Sequence, residues 1–213
     1  MSNHAVALYA PLSGQTVELE RVPDPVFAGK MVGDGVAIDP TSEVLLAPCP
    51  GVVKQIHPSC LETPSGLEVL MHIGLDTVAL KSEGFTPKVK VGDSVEKGQE
   101  LIAFDAGLIA EKARSLITLV LITNTEAVSR LEIEPGYKKA GQDLLINATL
   151  AQKEEDKETT SGLSIMSEPI VVPNPQGLHA RPAAVLANLA KKFKANLQIV
   201  RGEQFANCKS VVA

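Results

Sequence analysis

The chain has 213 residues, 45% hydrophobic and 21% charged, enough for one full core and a smaller second unit. A net charge of -5, no Trp and only 3% aromatic residues exclude a basic nucleic-acid face and a base-stacking platform. The N-terminus has no basic, apolar signal pattern, and the longest apolar run, from Leu116 to Ile122, is far too short to cross a bilayer, so a soluble, cytoplasmic protein is expected.

Eight of the 14 prolines precede residue 65, which forbids helices of ordinary length there and leaves short extended runs between turns. Val6 to Leu8, Gln15 to Val22, Val36 to Ile38, Val44 to Leu46 and Gly51 to Ile56 are such runs, rich in β-branched residues and bounded by Gly, Pro and Asp. Leu67 to Ile73 is the next predicted strand. Two Gly-containing turns divide Lys88 to Asp105, a weak helical pattern covers Ala106 to Arg114, and Leu116 to Thr123 and Leu144 to Leu150 complete the β set. Eight or more short strands with turn signals predict a mostly β fold, an antiparallel sandwich or barrel, over residues 1–150. Residues 151–166 include a polar run without large apolar side chains and read as a flexible linker. After it come a predicted strand at Ile170 to Val172, a turn, a helix from Ala180 to Lys194 with Val185, Leu189 and Phe193 four apart, and a strand at Leu197 to Val200. The three cysteines, Cys49, Cys60 and Cys208, are odd in number, lack CxxC spacing and read as reduced, buried small residues.

Chemistry is carried by the histidines. His179 stands just ahead of the predicted helix, whose unpaired N–H groups and positive dipole end favour an anion on that ring, and Arg181 adds a fixed positive charge. The string Gly177-Leu178-His179-Ala180-Arg181-Pro182-Ala183 resembles the active-site motif of the phosphocarrier HPr of the bacterial sugar phosphotransferase system. That resemblance spans Met166 to Ala213, about the first half of an HPr domain. It implies a phosphoryl group on His179, stabilised by Arg181. Ser210 matches a position some family members use for regulatory phosphorylation; a plain capping serine is the other reading. Residues 167–213 hold too little chain to bury a core alone, so this part is expected to be loosely ordered or to borrow contacts. In such fusions an enzyme I region often follows HPr, so the chain reads as a fragment of a longer polypeptide.

His72 lies inside the apolar run Leu70-Met71-His72-Ile73-Gly74-Leu75-Asp76-Thr77-Val78, and His57 precedes it by fifteen residues. Water is partly excluded from such a run, yet an imidazole there can still act as nucleophile or ligand. This run, the stretch from Val26 to Ile38, Ala47-Pro48-Cys49-Pro50-Gly51 and Glu83-Gly84-Phe85 occur in the order found in the glucose-type enzyme IIA family, which they resemble. The resemblance implies that His72 is the phosphorylated histidine and His57 a second active-site histidine beside it. It also implies that Asp34 and Asp76, with Val36 and Val78, border the depression where partners dock. Those partners would be enzyme I, HPr and a membrane sugar permease IIB/IIC, with no nucleic acid, and glucose and N-acetylglucosamine would be the leading sugars.

No cofactor is expected. Three other readings remain open at this level. The run Val89 to Leu101 also suits a lipoyl or biotinyl carrier, although no lysine sits in the required hairpin-tip motif. A zinc hydrolase could use His57, His72 and Asp34, but no H-x-H or HExxH pair is present, and metal at the two imidazoles would be confined to an interface. A docking or regulatory module is the third, and it is compatible with phosphotransfer.

Overall fold

Proline and glycine punctuation cuts the first half into short extended runs, and the computed structural model, which describes residues 5–151, 164–172, 180–202 and 204–210, pairs them into antiparallel ladders. The strands open with β1 (Ala5–Tyr9) and β2 (Gly14–Val17). A single helical turn, α1 (Pro25–Ala28), precedes β3 (Asp34–Pro40), β4 (Val44–Leu46), β5 (Gly51–Gln55), β6 (Ser59–Glu62) and β7 (Glu68–His72). Then follow β8 (Phe85–Pro87), β9 (Ser94–Val95), β10 (Glu100–Phe104) and the helix α2 (Ala106–Lys112). The ladder set closes with β11 (Thr118–Ile122), β12 (Val128–Ile133), β13 (Tyr137–Lys138) and β14 (Leu144–Leu150). Further along are α3 (Ala180–Ala190) and the hairpin β15 (Gln198–Arg201) with β16 (Gln204–Asn207).

One eight-stranded sheet runs in the order β13-β2-β3-β11-β7-β6-β5-β9, and two three-stranded sheets, β1-β14-β12 and β4-β10-β8, lie apart from it. None of them closes on itself, so of the two predicted forms the sandwich holds and the barrel does not. Alternation along the strands divides the large sheet's side chains between two clusters. Val36, Ile38, Val69, Met71, Val120 and Ile122 join Leu8, Ile146, Leu45 and Ile102 of the small sheets in the main core. Their neighbours Ala37, Cys60, Leu70, Leu119 and Leu121 point to the other face and pack with Leu19, Val22, Phe27, Val32 and Leu75. β11 is therefore buried on both faces, which explains a sequence, Thr-Leu-Val-Leu-Ile, with no polar alternation.

Several expectations need correction. The run predicted as one strand from Gln15 to Val22 is a strand only to Val17 and then a 3-10 turn over Leu19–Arg21. Ile170 to Val172 is not a strand; it has no ladder partner among the described residues and lies exposed. The second helix stops at Ala190, four residues short of the predicted end. Strands β6, β8, β12, β13 and β16 and the turn α1 had gone unread: β12 carries the charges Arg130 and Glu132, and α1 is too short for periodicity to register. Among the described residues no helix is long and apolar enough to cross a membrane.

Candidate active site

His72 ends β7 on the same side as Leu70, facing the second cluster, and is 5% exposed. Its Nδ1 lies 2.8 Å from the carbonyl oxygen of Gly74. A carbonyl oxygen only accepts, so Nδ1 carries the proton, and in the neutral ring the lone pair resides on Nε2. The ring of Phe27 stands 5.7 Å away, tilted by 60°. Phe27 is put there by a local device: Asp24 caps α1 by accepting from the Val26 N–H at 2.9 Å, and Pro25 presets the first helical position.

The loop after His72 is built to hold that carbonyl. Gly74 has φ of +68°, and a Cβ there would come within 2.7 Å of Thr77 Cγ2 and 3.0 Å of the Ser115 oxygen. Thr77, fully buried, donates its hydroxyl to the Ile73 oxygen at 3.0 Å. Gly74→Ala is accordingly expected to lower stability by about 2 kcal/mol, from left-handed backbone strain and displaced neighbours. It also displaces the acceptor that fixes the His72 tautomer. Urea denaturation measures the first effect, and the nitrogen-15 chemical shifts of the His72 ring measure the second.

His57 arrives by ladder register. Ser59 pairs with Met71, so the chain entering β6 through His57 and Pro58 runs beside the chain leaving β7 through His72. The His57–Pro58 peptide bond is cis, and the His57 ring lies 4.2 Å from the Phe85 ring, tilted by 47°. Burial, assisted by the neighbouring His72, pulls the pKa of His57 down to about 4, so the ring is neutral at pH 7 and offers one N–H and one lone pair. The shift carries a stability consequence. The unfolded chain takes the proton near pH 6.5 and the folded chain only near 4, so between those values the unfolded state binds more protons. Stability should therefore fall as pH is lowered from 6.5 to 4, by about 2 kcal/mol after allowing for the ring's partial exposure. Urea melts at pH 7 and pH 4.5 check this, and the drop should shrink by that amount in His57→Gln.

The other sequence-predicted residues are less uniformly gathered. Asp76 is exposed in a left-handed conformation (φ +62°) directly ahead of the 3-10 turn Thr77–Leu80, and Val78 in that turn is half-buried, so both border the His72 loop. Asp34 stands across the sheet from Ile122, which pairs with Val69. That is three ladder positions, roughly 10 Å along the strands, from the level of His72. Its carboxylate accepts from the Gly35 N–H at 2.8 Å and pairs with Lys30 at 3.0 Å, and Lys30 also reaches Glu20 at 3.3 Å. These carboxylates hold the Lys30 ammonium above its ordinary pKa, the Asp34 hydrogen bond foremost. Val36 must be corrected: it is buried in the main core on the opposite side of β3 from His72 and cannot border a docking depression. His179 lies outside the described residues. Arg181 falls in the first turn of α3, with its side chain likewise outside them. Sequence reading had missed Phe27 and Gly74. The Asp24-Pro25 pair, a helix-start signal, could have found the first, and a Gly two residues after a strand histidine could have suggested the second.

The two deeply buried cysteines are free thiols. Burial pushes Cys49 up to about 12 and Cys60 higher still, so neither is a thiolate at neutral pH.

Residues 6–128 match the family described as phosphoenolpyruvate-dependent sugar phosphotransferase system, EIIA 1. The chain belongs to this family. Residues 166–213 match a second description, PTS HPr component phosphorylation site. The chain is 46% identical over 144 residues to a glucose-specific EIIA component of the phosphotransferase system from Halalkalibacterium halodurans, covering 65% of this chain and 83% of the relative. The corresponding component of Haemophilus influenzae is 40% identical over 145 residues, 66% of this chain and 87% of that one. Among solved structures, the glucose permease IIA from Mycoplasma capricolum superposes with a TM-score of 0.64 at 34% identity, over 68% of this chain and 96% of that one.

As an EIIA protein with an HPr region, the chain is a phosphocarrier of the sugar phosphotransferase system, a phosphotransferase component that works with the other components of that system. This membership displaces the zinc-hydrolase reading. Among the described residues no three His, Cys, Asp or Glu side chains converge as metal ligands. The carrier-like run from Val89 to Leu101 contains β9, the turn after it and the first two residues of β10, and in that turn the Lys97 ammonium lies over the Tyr9 ring at 3.8 Å.

Proposed function

We propose that His72 accepts a phosphoryl group on Nε2 from phosphorylated HPr and passes it to the IIB domain of a membrane sugar permease. The single observation that supports it best is the 2.8 Å contact between Nδ1 and the Gly74 oxygen, which leaves the nucleophilic pair on Nε2. In the step the P–N bond of the donor histidine breaks as the new bond to Nε2 forms. The donor ring recovers its lone pair, and the proton of His72 stays on Nδ1, donated to the Gly74 oxygen. Such a transfer asks the protein for in-line positioning, charge stabilisation and exclusion of water rather than covalent help. His57, neutral and adjacent, supplies an N–H for the phosphoryl oxygens, and Phe27 with Leu70 and Leu75 keeps water from the phosphoramidate.

In the same reading His179 is the HPr-type phosphohistidine, Arg181 stabilises its phosphate, and enzyme I charges it from phosphoenolpyruvate. Residues 151–166 act as the tether that makes transfer from His179 to His72 intramolecular. Glucose is the sugar supported by the names of the relatives. The test is to incubate the chain with phosphoenolpyruvate, enzyme I and a separate HPr, then map acid-labile phosphate by mass and by phosphorus NMR. Phosphate on Nε2 of His72 is expected. Phosphate only on Nδ1, or none in residues 1–150, would refute the assignment.

A further inference from the structure

The face that carries His72 is already occupied, and by this chain itself. Ala184 of α3 is fully buried in the cluster formed by Phe27, Val32, Leu70, Leu75 and Leu119. One turn on, Asn188 donates its side-chain N–H to the Met31 oxygen at 2.9 Å, and Lys191 reaches Glu126 at 3.1 Å. Residues 184, 188 and 191 fall on one stripe of a helix surface. Past the hairpin, Ser210 Oγ donates to the Glu68 carboxylate, 3.2 and 3.3 Å from its two oxygens, at the start of the strand that ends in His72.

The large apolar stripe of α3 is turned the other way: Val185 is 53% exposed, Leu189 53% and Phe193, just beyond the helix, 56%. The helix therefore lies on the sandwich by its small and polar side. Its buried residues are the small Ala184, Ala187 and Ala190, and with a few hydrogen bonds and one surface ion pair they make a reversible contact rather than a permanent interface.

We infer that the His72 face is an intramolecular docking surface for residues 180–210, so that a separate phosphocarrier reaches His72 only when this segment lifts away. The contact restrains transfer from outside the chain and reserves the face for the chain's own segment. The inference rests on the reading of His72 as the acceptor, and the two can fail separately.

The test uses the full chain with His179→Ala, so that label reaching His72 comes only from a separate phosphorylated HPr. Lys191→Glu and Glu126→Lys should each raise the initial rate of His72 phosphorylation about threefold to fivefold, and the double reversal should return it to the parent value. Ala184→Glu, which puts a charge where no space exists, should raise it about tenfold. Amide hydrogen exchange over residues 26–33 should quicken in the same variants. Equal rates and equal exchange in all chains would overturn the inference while leaving His72 as the acceptor. Faster exchange in the opened variants with no label on any chain would support the docking and refute the acceptor reading.

Discussion

Replacing His72 by alanine should abolish phosphorylation of residues 1–150, a loss of at least about a thousandfold in initial rate, since no amount of positioning works without the nucleophile. The argument turns on the geometry around one nitrogen. Nδ1 is committed to the Gly74 oxygen, so the lone pair faces away from the loop that holds the ring. His57 is a weak substitute, because it reaches the site from the turn ahead of β6 and its ring packs against Phe85. The fold should survive, since alanine removes only a ring at the edge of the second cluster, and a near-native urea melt would establish that. His72→Gln is the companion variant: its amide can still bond to Gly74, but it has no nucleophilic nitrogen and should be equally inert. Acid-labile phosphate persisting within residues 1–150 of either variant at the parent rate would eliminate His72 as the acceptor.

His57→Ala should give a different result: phosphate still arrives on His72, but its transfer to a IIB acceptor slows by roughly a hundredfold to a thousandfold. The reason lies in charge. A neutral His57, kept so by burial and by its neighbour, costs little beside an unphosphorylated His72. Once a dianionic phosphoryl group sits on the adjacent ring, the N–H of His57 becomes a donor aimed at developing charge in the transfer step. The low-dielectric surroundings make that donor worth more than it would be in water. Single-turnover release of phosphate to IIB separates this from binding. An onward rate unchanged in His57→Ala would reduce His57 to packing against Phe85.

Much of the architecture could be read before any coordinates, because the punctuation is local. The spacing of Pro and Gly before residue 65 reports short extended runs, and β1, β4 and β5 appear where that spacing predicts. What escaped were elements whose signal is weak in sequence terms. β12 interleaves the charges Arg130 and Glu132 with Leu131 and Ile133, and Ile170 to Val172 has strand composition but pairs with no strand among the described residues. Val36 shows the same limit inside the site. Its place in a shared motif suggested a docking role, yet alternation along β3 sends it to the main core, and a one-residue change of face is visible only once strand register is known.

By itself the sequence determined the chemistry on offer: two histidines in one apolar and one turn context, a third ahead of a helix, and a β-rich scaffold to carry them. Those depend on residue identity and short-range spacing. Only the tertiary structure decided which nitrogen of His72 holds the lone pair, that Phe27 and Gly74 position its ring, and that α3 lies on the same face. Each of these depends on which strands are neighbours, in which register, and on a carbonyl or a ring brought in by a separate loop. Long-range pairing energy selects those relations, and no local pattern encodes them.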